Sequence, residues 1–272
     1  MSLNPLFLTT AIEAVVHAGD LQMASFGLDF QIDKKGTIDL VTEVDIAVER
    51  MFRDLIAERF PSHQVLAEEL GGAVDVGAGG ACWVFDPIDG TTNFAHGVPI
   101  FCASLALEID GVAEVAAVYD PNRRELFTAE RGGGAFLNGW PLRVSAAAQL
   151  VDALLVTGFP YDVHARVEEI VGLFGAFVGK ARAVRRLGSA AIDLCYVAAG
   201  RMDGFWETDL HAWDIAGGGL IVAEAGGRVT NTDGDPFSSR GGHVLATNGQ
   251  LHDAMLGVIA SFRAGRAPKR TK

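Results

Sequence analysis

Cysteine is scarce: the 272 residues hold three, Cys82, Cys102 and Cys195, with no Cys-x-x-Cys spacing. So odd and sparse a set argues against a disulfide framework and a thiolate zinc centre, and fits reduced, packed thiols in a cytoplasmic protein. Cys82 and Cys102 are therefore read as core residues. No stretch approaches the roughly 18 uninterrupted apolar residues of a membrane span. The N-terminus has neither a basic n-region nor an apolar h-region, so no secretory signal is expected. Positive charge is also short, with 22 Lys and Arg against 34 Asp and Glu and a formal net charge of −12. A general nucleic-acid binder needs a basic face, and that class is set aside.

What the chain has is apolar material, 49% of residues with a mean hydropathy of +0.25. That is enough for one large domain or two lobes. Asn4-Pro5 is a helix start, and apolar residues from Leu8 to Met23 keep helical spacing until Gly27. A polar loop with Lys34-Lys35-Gly36 follows. Thr42 with Asp45 three residues on resembles a capping box, opening a second helix that Pro61 ends. Gln64 to Ala67 reads as a strand delivering Glu68-Glu69, with a glycine-rich loop from Gly71 to Gly80 behind it. Ala81 to Phe85 reads as a buried strand ending on Asp86.

Asp110-Gly111 between two apolar runs, Phe101 to Ile109 and Val112 to Tyr119, is a hairpin signal. Glu125 to Ala129 continues the meander, Gly132-Gly-Gly134 breaks it and Asn138-Gly139 marks another turn. From Val151 the pattern changes to alternating strand and helix. It has helices over Val163 to Val178, Ala190 to Ala199, Trp213 to Ala225 and from Leu251 onward. The expected division is residues 1–145, two helices on a mainly antiparallel sheet; residues 146–262, an α/β lobe; and residues 263–272, a basic, frayed tail. The lobe boundary is placed at Ser145 to Gln149.

Six carboxylates, Asp45, Glu68, Glu69, Asp86, Asp89 and Asp214, each fall at the end of an expected strand or the start of an expected helix. Each also has an ordinary reading: Asp86-Pro87 and Asp89-Gly90 as turns, Glu68-Glu69 as a solvated pair, Asp45 as a cap, Asp214 as a first-turn residue on the helix dipole. Gathered in one place they require protons or cations, because two such charges about 5 Å apart repel by roughly 3 kcal/mol at an effective dielectric near 20. Oxygen-only ligands favour Mg²⁺ or Mn²⁺ over zinc. Gly90-Thr91-Thr92 adds a close-approach glycine and N–H groups at a helix start, a phosphate-binding arrangement. Gly188-Ser189-Ala190 is either a second such start or a tight helix–sheet contact. Gly217-Gly-Gly219 inside a helix points first to close packing. His211 beside Trp213 reads as a packing or orienting residue rather than a ligand.

Asp86-Pro-Ile-Asp-Gly-Thr-Thr-Asn-Phe94 resembles the first signature of the inositol monophosphatase family. Trp213-Asp-Ile-Ala-Gly-Gly-Gly219, leading into Glu224-Ala-Gly-Gly227, resembles the second. The likeness covers about residues 5 to 262, and Tyr196 to Glu207 is similar to the bacterial branch. It implies a layered αβαβα sandwich of the α+β class, the fold shared with fructose-1,6-bisphosphatase. It implies hydrolysis of a small phosphorylated alcohol, myo-inositol 1-phosphate first, by direct in-line attack of a metal-activated water, with Li⁺ inhibition and a homodimer. Two to three Mg²⁺ ions are implied: Glu68, Asp86 and the Ile88 carbonyl for the first, Asp86, Asp89 and Asp214 for the second, and a weaker third near Glu68. Glu68 and Thr91, with Asp45 nearby, would activate water. Gly90 and Thr91 would bind phosphate, and Asp89, Gly188, Ser189, Glu207 and Asp214 would contact the alcohol.

The chain departs from the family pattern at Gly217-Gly218, where an alanine often stands. Thr92 fits the inositol branch; the histidinol-phosphate and sulfur-nucleotide branches usually carry lysine there. Histidinol phosphate, sugar phosphates and nucleotides remain the alternative substrates, and an accessory binding role in transcription the alternative class.

Overall fold

The structure, a computed structural model, describes residues 4–36, 38–72 and 80–266. The first helix, α1 (Leu6–Ser25), starts where the Asn4 side chain accepts a hydrogen bond from the Leu6 N–H at 3.0 Å. Of the Lys34-Lys35-Gly36 segment, Lys34 ends a short strand and Lys35-Gly36 form the loop expected. The strand belongs to an antiparallel ribbon of β1 (Ile32–Lys34) and β2 (Leu40–Thr42). Strands of three residues are too short for a period-2 pattern to register in sequence. The capping box forms as expected: Asp45 Oδ2 accepts from the Thr42 N–H at 2.8 Å, and Thr42 Oγ1 accepts from the Asp45 N–H, opening α2 (Glu43–Arg59).

Next come β3 (Gln64–Ala67), β4 (Ala81–Asp89) and the single turn α3 (Thr91–Ala95). They are followed by β5 (Cys102–Ile109), β6 (Val112–Asp120), β7 (Glu125–Glu130), β8 (Gly134–Leu137) and β9 (Trp140–Pro141). The seven strands form one sheet in sequential order, antiparallel throughout except for β3–β4. Asp110 and Gly111 both adopt positive φ, 53° and 75°, as a two-residue type I′ turn requires. Asn138 and Gly139 (49° and 82°) do the same between β8 and β9, so the meander runs two short strands past the glycines expected to break it.

The remaining elements are β10 (Leu154–Thr157), α4 (Val167–Val178), β11 (Ala183–Arg185), α5 (Ala190–Ala198), β12 (Gly204–Glu207), α6 (Ala212–Glu224), β13 (Arg228–Thr230), β14 (Val244–Thr247) and α7 (His252–Arg266). A separate 3₁₀ turn, Val163–Ala165, precedes α4, where one continuous helix was expected. The five strands order as β11-β10-β12-β14-β13, with β14 antiparallel to both its neighbours. Helix α7 continues to Arg266, so residues 263–266, assigned above to a frayed tail, are helical. Arg263 donates to Thr232 Oγ1 at 2.8 Å and Arg266 to the Glu168 carbonyl at 2.9 Å, which anchors the last turn. Residues 267–272 of that tail, and 73–79 of the glycine-rich loop, lie outside the described residues.

Helices α1 and α2 cover one face of the seven-stranded sheet, α5 and α6 fill the space between the two sheets, and α4 and α7 cover the far face of the five-stranded one. The result is the αβαβα sandwich expected. Phe52, Trp83 and Phe85 centre the first core; Phe127, Ile192, Phe205 and Ile221 the middle one; Phe177, Trp206 and Met255 the third. The three glycines of α6 are there for packing. A Cβ on Gly217 would stand 3.0 Å from the Leu105 carbonyl oxygen, on Gly218 2.6 Å from Leu194 Cβ, and on Gly219 2.8 Å from the Phe237 ring. All three cysteines are free and buried. No helix among the described residues is long and apolar enough to cross a membrane.

Candidate active site

The site is organised by an irregularity in β4. The strand does not stop at Asp86 as expected but continues through Pro87 to Asp89. Asp86 pairs with Ser104 and Asp89 with Cys102, three steps along β4 against two along β5. In a regular strand, residues three apart point to opposite faces. The extra residue of the bulge brings both carboxylates to one side, and Pro87, which has no N–H to give the ladder, sits where the pairing lapses. The Pro87 carbonyl is instead taken by Gln22 Nε2 of α1 at 2.7 Å. Ile88 N–H donates to Asp86 Oδ1 at 2.9 Å, fixing that carboxylate.

Helix starts bring the other groups. Asp214 is the third residue of α6 and accepts from the His211 N–H at 2.6 Å, the same reach-back that Asp45 makes on α2. The His211 ring stacks on Trp213 at 4.7 Å, the packing role expected of it. Carboxylate oxygens of Asp86, Asp89 and Asp214 lie within 4.8 Å of one another. Asp89 also ties the two halves of the chain together. Its carboxylate accepts from Ser189 Oγ at 2.6 Å, the Ala191 N–H at 2.7 Å and the Ala190 N–H at 3.3 Å, all at the start of α5.

Glu68 is not in that triad of contacts. Lys35 Nζ, from the β1–β2 ribbon, holds Glu68 at 2.7 Å and Glu69 at 2.6 Å. Glu69 is no solvated residue, since its side chain is only 3% exposed. The pair is positioned from below by Glu49, fully buried on α2, which accepts from the Glu69 and Leu70 N–H groups at 2.7 and 3.1 Å. Lys35 and Glu49 escaped sequence reading; each belongs to an element whose partner is distant in the chain.

Thr91 opens α3. Its Oγ1 donates to the Ile88 carbonyl at 2.9 Å and lies 3.5 Å from Asp45 Oδ1. The first intrahelical bond of this turn runs from the Phe94 N–H to the Gly90 carbonyl, so the N–H groups of Thr91 and Thr92 precede it and have no acceptor within the turn. Gly90 has φ of +100°, and a Cβ there would stand 2.9 Å from the Ile100 carbonyl oxygen. Only glycine suits both constraints. Asn93 Nδ2 crosses to the Leu187 carbonyl at 2.9 Å, setting the loop before Gly188 against α3.

Burial raises the carboxyls of this cluster, and neighbouring charge raises them further. Asp86 is lifted well above the usual range by burial and then by Glu68, Asp89 and Asp214. Asp214 is lifted likewise by burial and then Asp89 and Glu68. Burial pushes Asp45 up to about 7 against the Thr42 hydrogen bonds, and Asp89 up to about 6 against Ser189 and the α5 amides. Burial and Glu68 push Glu69 up to about 8. Such a set needs protons or cations, and its all-oxygen chemistry fits a hard divalent ion. The pH dependence follows. Unfolded carboxyls titrate near 4. Folded groups with raised values bind protons more tightly, so their contribution to stability is complete below about pH 4 and is lost as pH rises through 6 to 8. The melting temperature of cation-free protein is therefore expected to fall between pH 5 and pH 8, and saturating Mg²⁺ to flatten that slope, as calorimetry across the range would register.

A cleft of about 240 Å³ lies over the cluster, between the helix starts at Gly90, Gly188 and His211 and the loop Gly158 to Tyr161. The chain matches the inositol monophosphatase family over residues 5–263. It belongs to that family. It is 43% identical to the inositol-1-monophosphatase of Synechocystis, over 97% of this chain and 94% of the relative. It is equally, 43%, identical to the Nus factor SuhB of Pseudomonas aeruginosa, over 93% of this chain and 95% of the relative. The solved inositol monophosphatase from Anabaena superposes with a TM-score of 0.85 at 38% identity, covering 94% of this chain and 96% of that one.

In this inositol monophosphatase family member, the residues expected to face the alcohol do line the cleft: Asp89, Gly188, Ser189, Glu207 and Asp214. Glu207 is buried and pushed up to about 8 by that burial, with Arg186 opposing and Asp89 reinforcing the shift. Its carboxylate fills the space beside Gly158, where a Cβ would meet Oε2 at 2.1 Å. Arg186 and Asp193 line the same cleft and were not singled out from sequence. Asp193 sits in a plain helical pattern, Ala190 to Ala198, and only the tertiary fold exposes its relation to the cleft.

Proposed function

We propose that the protein hydrolyses small phosphate monoesters, with myo-inositol 1-phosphate preferred, and depends on Mg²⁺, two to three ions per chain, with Mn²⁺ able to replace it. The observation that carries this reading is the convergence of Asp86, Asp89 and Asp214 beside the start of α3. These three carboxylates, Glu68 and the Ile88 carbonyl would hold the ions. Bound divalent cations neutralise phosphate charge and stabilise the attacking and leaving oxygens.

The chain's own groups do the rest. The N–H groups of Gly90 and Thr91 bind the phosphate oxygens, as helix starts do. Thr91 Oγ1 orients the attacking water, with Asp45 Oδ1 3.5 Å behind it and Glu68 as the companion base. A carboxyl lifted to about 7, as at Asp45, exchanges protons readily near neutral pH. Asp89, Gly188, Ser189, Glu207 and Asp214 receive the alcohol. Cations at the cluster also remove the conflict between a −12 chain and an anionic substrate. No covalent phosphoenzyme is required, and the protein is read as a cytoplasmic homodimer inhibited by Li⁺.

A panel of inositol 1-phosphate, histidinol phosphate, a sugar phosphate and 2′-AMP, assayed with Mg²⁺ and again with chelator, tests the reading. The expected outcome is highest kcat/KM on inositol 1-phosphate and no turnover with chelator. Equal or greater efficiency on histidinol phosphate would sink the substrate assignment, and turnover in chelator the cation dependence. A second reading, an accessory role in transcription, is favoured by the similarity to relatives named Nus factor SuhB. A binding role of that kind would survive loss of the carboxylate triad, whereas phosphate release would not.

A further inference from the structure

We propose that Asp193 is a specificity-determining residue: together with Glu207 it forms a carboxyl pair that selects polyol phosphates over phosphate esters of simple alcohols and phenols. This rests on the phosphatase reading above and names what the alcohol side of the cleft reads.

Asp193 is 1% exposed, yet neither of its carboxyl oxygens has a hydrogen-bond partner, the only carboxyl among the described residues in that state. An unpaired buried carboxyl is costly, on the order of several kcal/mol, unless a partner arrives. Asp193 is a lining residue of the cleft, one helical turn after the α5 start: its backbone N–H bonds the Ser189 carbonyl at 3.0 Å, while Ser189 Oγ holds Asp89. The missing partner is therefore supplied from the cleft, next to the cation cluster and on the alcohol side of it.

The groups around Asp193 define the chemistry. After burial, the largest influences on it are Glu207 and Asp89, with Arg186 opposing them. Glu207 lines the same cleft, in the space Gly158 leaves by lacking a Cβ. Two carboxyls with a guanidinium nearby suit a ligand whose groups can both donate and accept. Neighbouring hydroxyls on one ring or chain do so; an alkyl or nitrophenyl group offers nothing to Asp193 and leaves it unpaired. Sites built around buried polar groups discriminate strongly against analogues that lack the complementary group.

The test compares kcat/KM on inositol 1-phosphate with that on p-nitrophenyl phosphate, in Mg²⁺-loaded wild type, Asp193→Leu and Asp193→Asn. The wild-type ratio is expected to fall at least about tenfold in Asp193→Leu, through loss of efficiency on the polyol. Asp193→Asn keeps the shape and one acceptor oxygen, so it is expected to move the ratio the same way by a smaller factor, about threefold. It also carries the test if the leucine variant does not fold. A ratio unchanged in the variants, including one in which both substrates lose efficiency equally, overturns the proposal and makes Asp193 a structural residue. Failure of wild type on both esters would instead remove the phosphatase reading itself.

Discussion

Asp86→Asn is expected to lower phosphate release at least about a thousandfold while raising the melting temperature of the cation-free protein. The first effect reflects the position of Asp86 at the centre of the carboxylate cluster, where it faces Glu68, Asp89 and Asp214 at once. A thousandfold is about 4 kcal/mol of transition-state stabilisation, within what a cation acting as a Lewis acid supplies. The second effect follows from the same crowding. Asparagine keeps the oxygen that accepts from the Ile88 N–H, yet removes a buried charge repelled by Glu68, Asp89, Asp214 and Asp45. A group that serves function at the expense of stability behaves in this way, and paired activity and calorimetry measurements would register it. Loss of activity with a lowered melting temperature would mean that Asp86 is chiefly structural.

Asp89→Ala is expected to do the opposite to stability, lowering it by about 2–4 kcal/mol as well as abolishing turnover. Two effects compete at this residue. Burial and Glu68 disfavour its charge, as its raised value of about 6 records. Against this, Ser189 Oγ and the Ala190 and Ala191 N–H groups all donate to it, and alanine leaves all three without an acceptor. Each stranded buried donor costs about 1–3 kcal/mol, and relief of repulsion offsets only part of the sum. The loss also cuts a tie between β4 and the start of α5, which urea denaturation with unchanged m would report as a lower midpoint. A stability equal to wild type would show that the α5 start finds water or another acceptor without Asp89.

The contrast between these two aspartates shows where sequence reading succeeded and where it stopped. Local signals were legible because their partners lie within a few residues. Thr42 and Asp45 cap each other, Asp110-Gly111 turns as its φ values demand, and β3 spans the expected Gln64 to Ala67. The layered αβαβα architecture came from the resemblance to the inositol monophosphatase family, and the change of rhythm near Val151 marked only the expected lobe boundary. The bulge at Pro87 was not legible, since a proline after a buried run reads as a stop; only the register against β5 shows that the strand passes through it. Lys35, Glu49 and Asp193 were missed for one reason: each acts on residues of another element, Lys35 across more than thirty positions of chain. The grip of Lys35 on Glu68 and Glu69 is an internal counter-charge for two of the acids, and no spacing rule predicts it.

On the proposed function, divalent cations bind among Asp86, Asp89 and Asp214. Anomalous diffraction from crystals grown with Mn²⁺ tests it most directly. Anomalous peaks are expected within coordination distance of those three carboxylates and are lost in Asp86→Asn. Crystals with Mn²⁺ bound elsewhere and none at the three aspartates would contradict it.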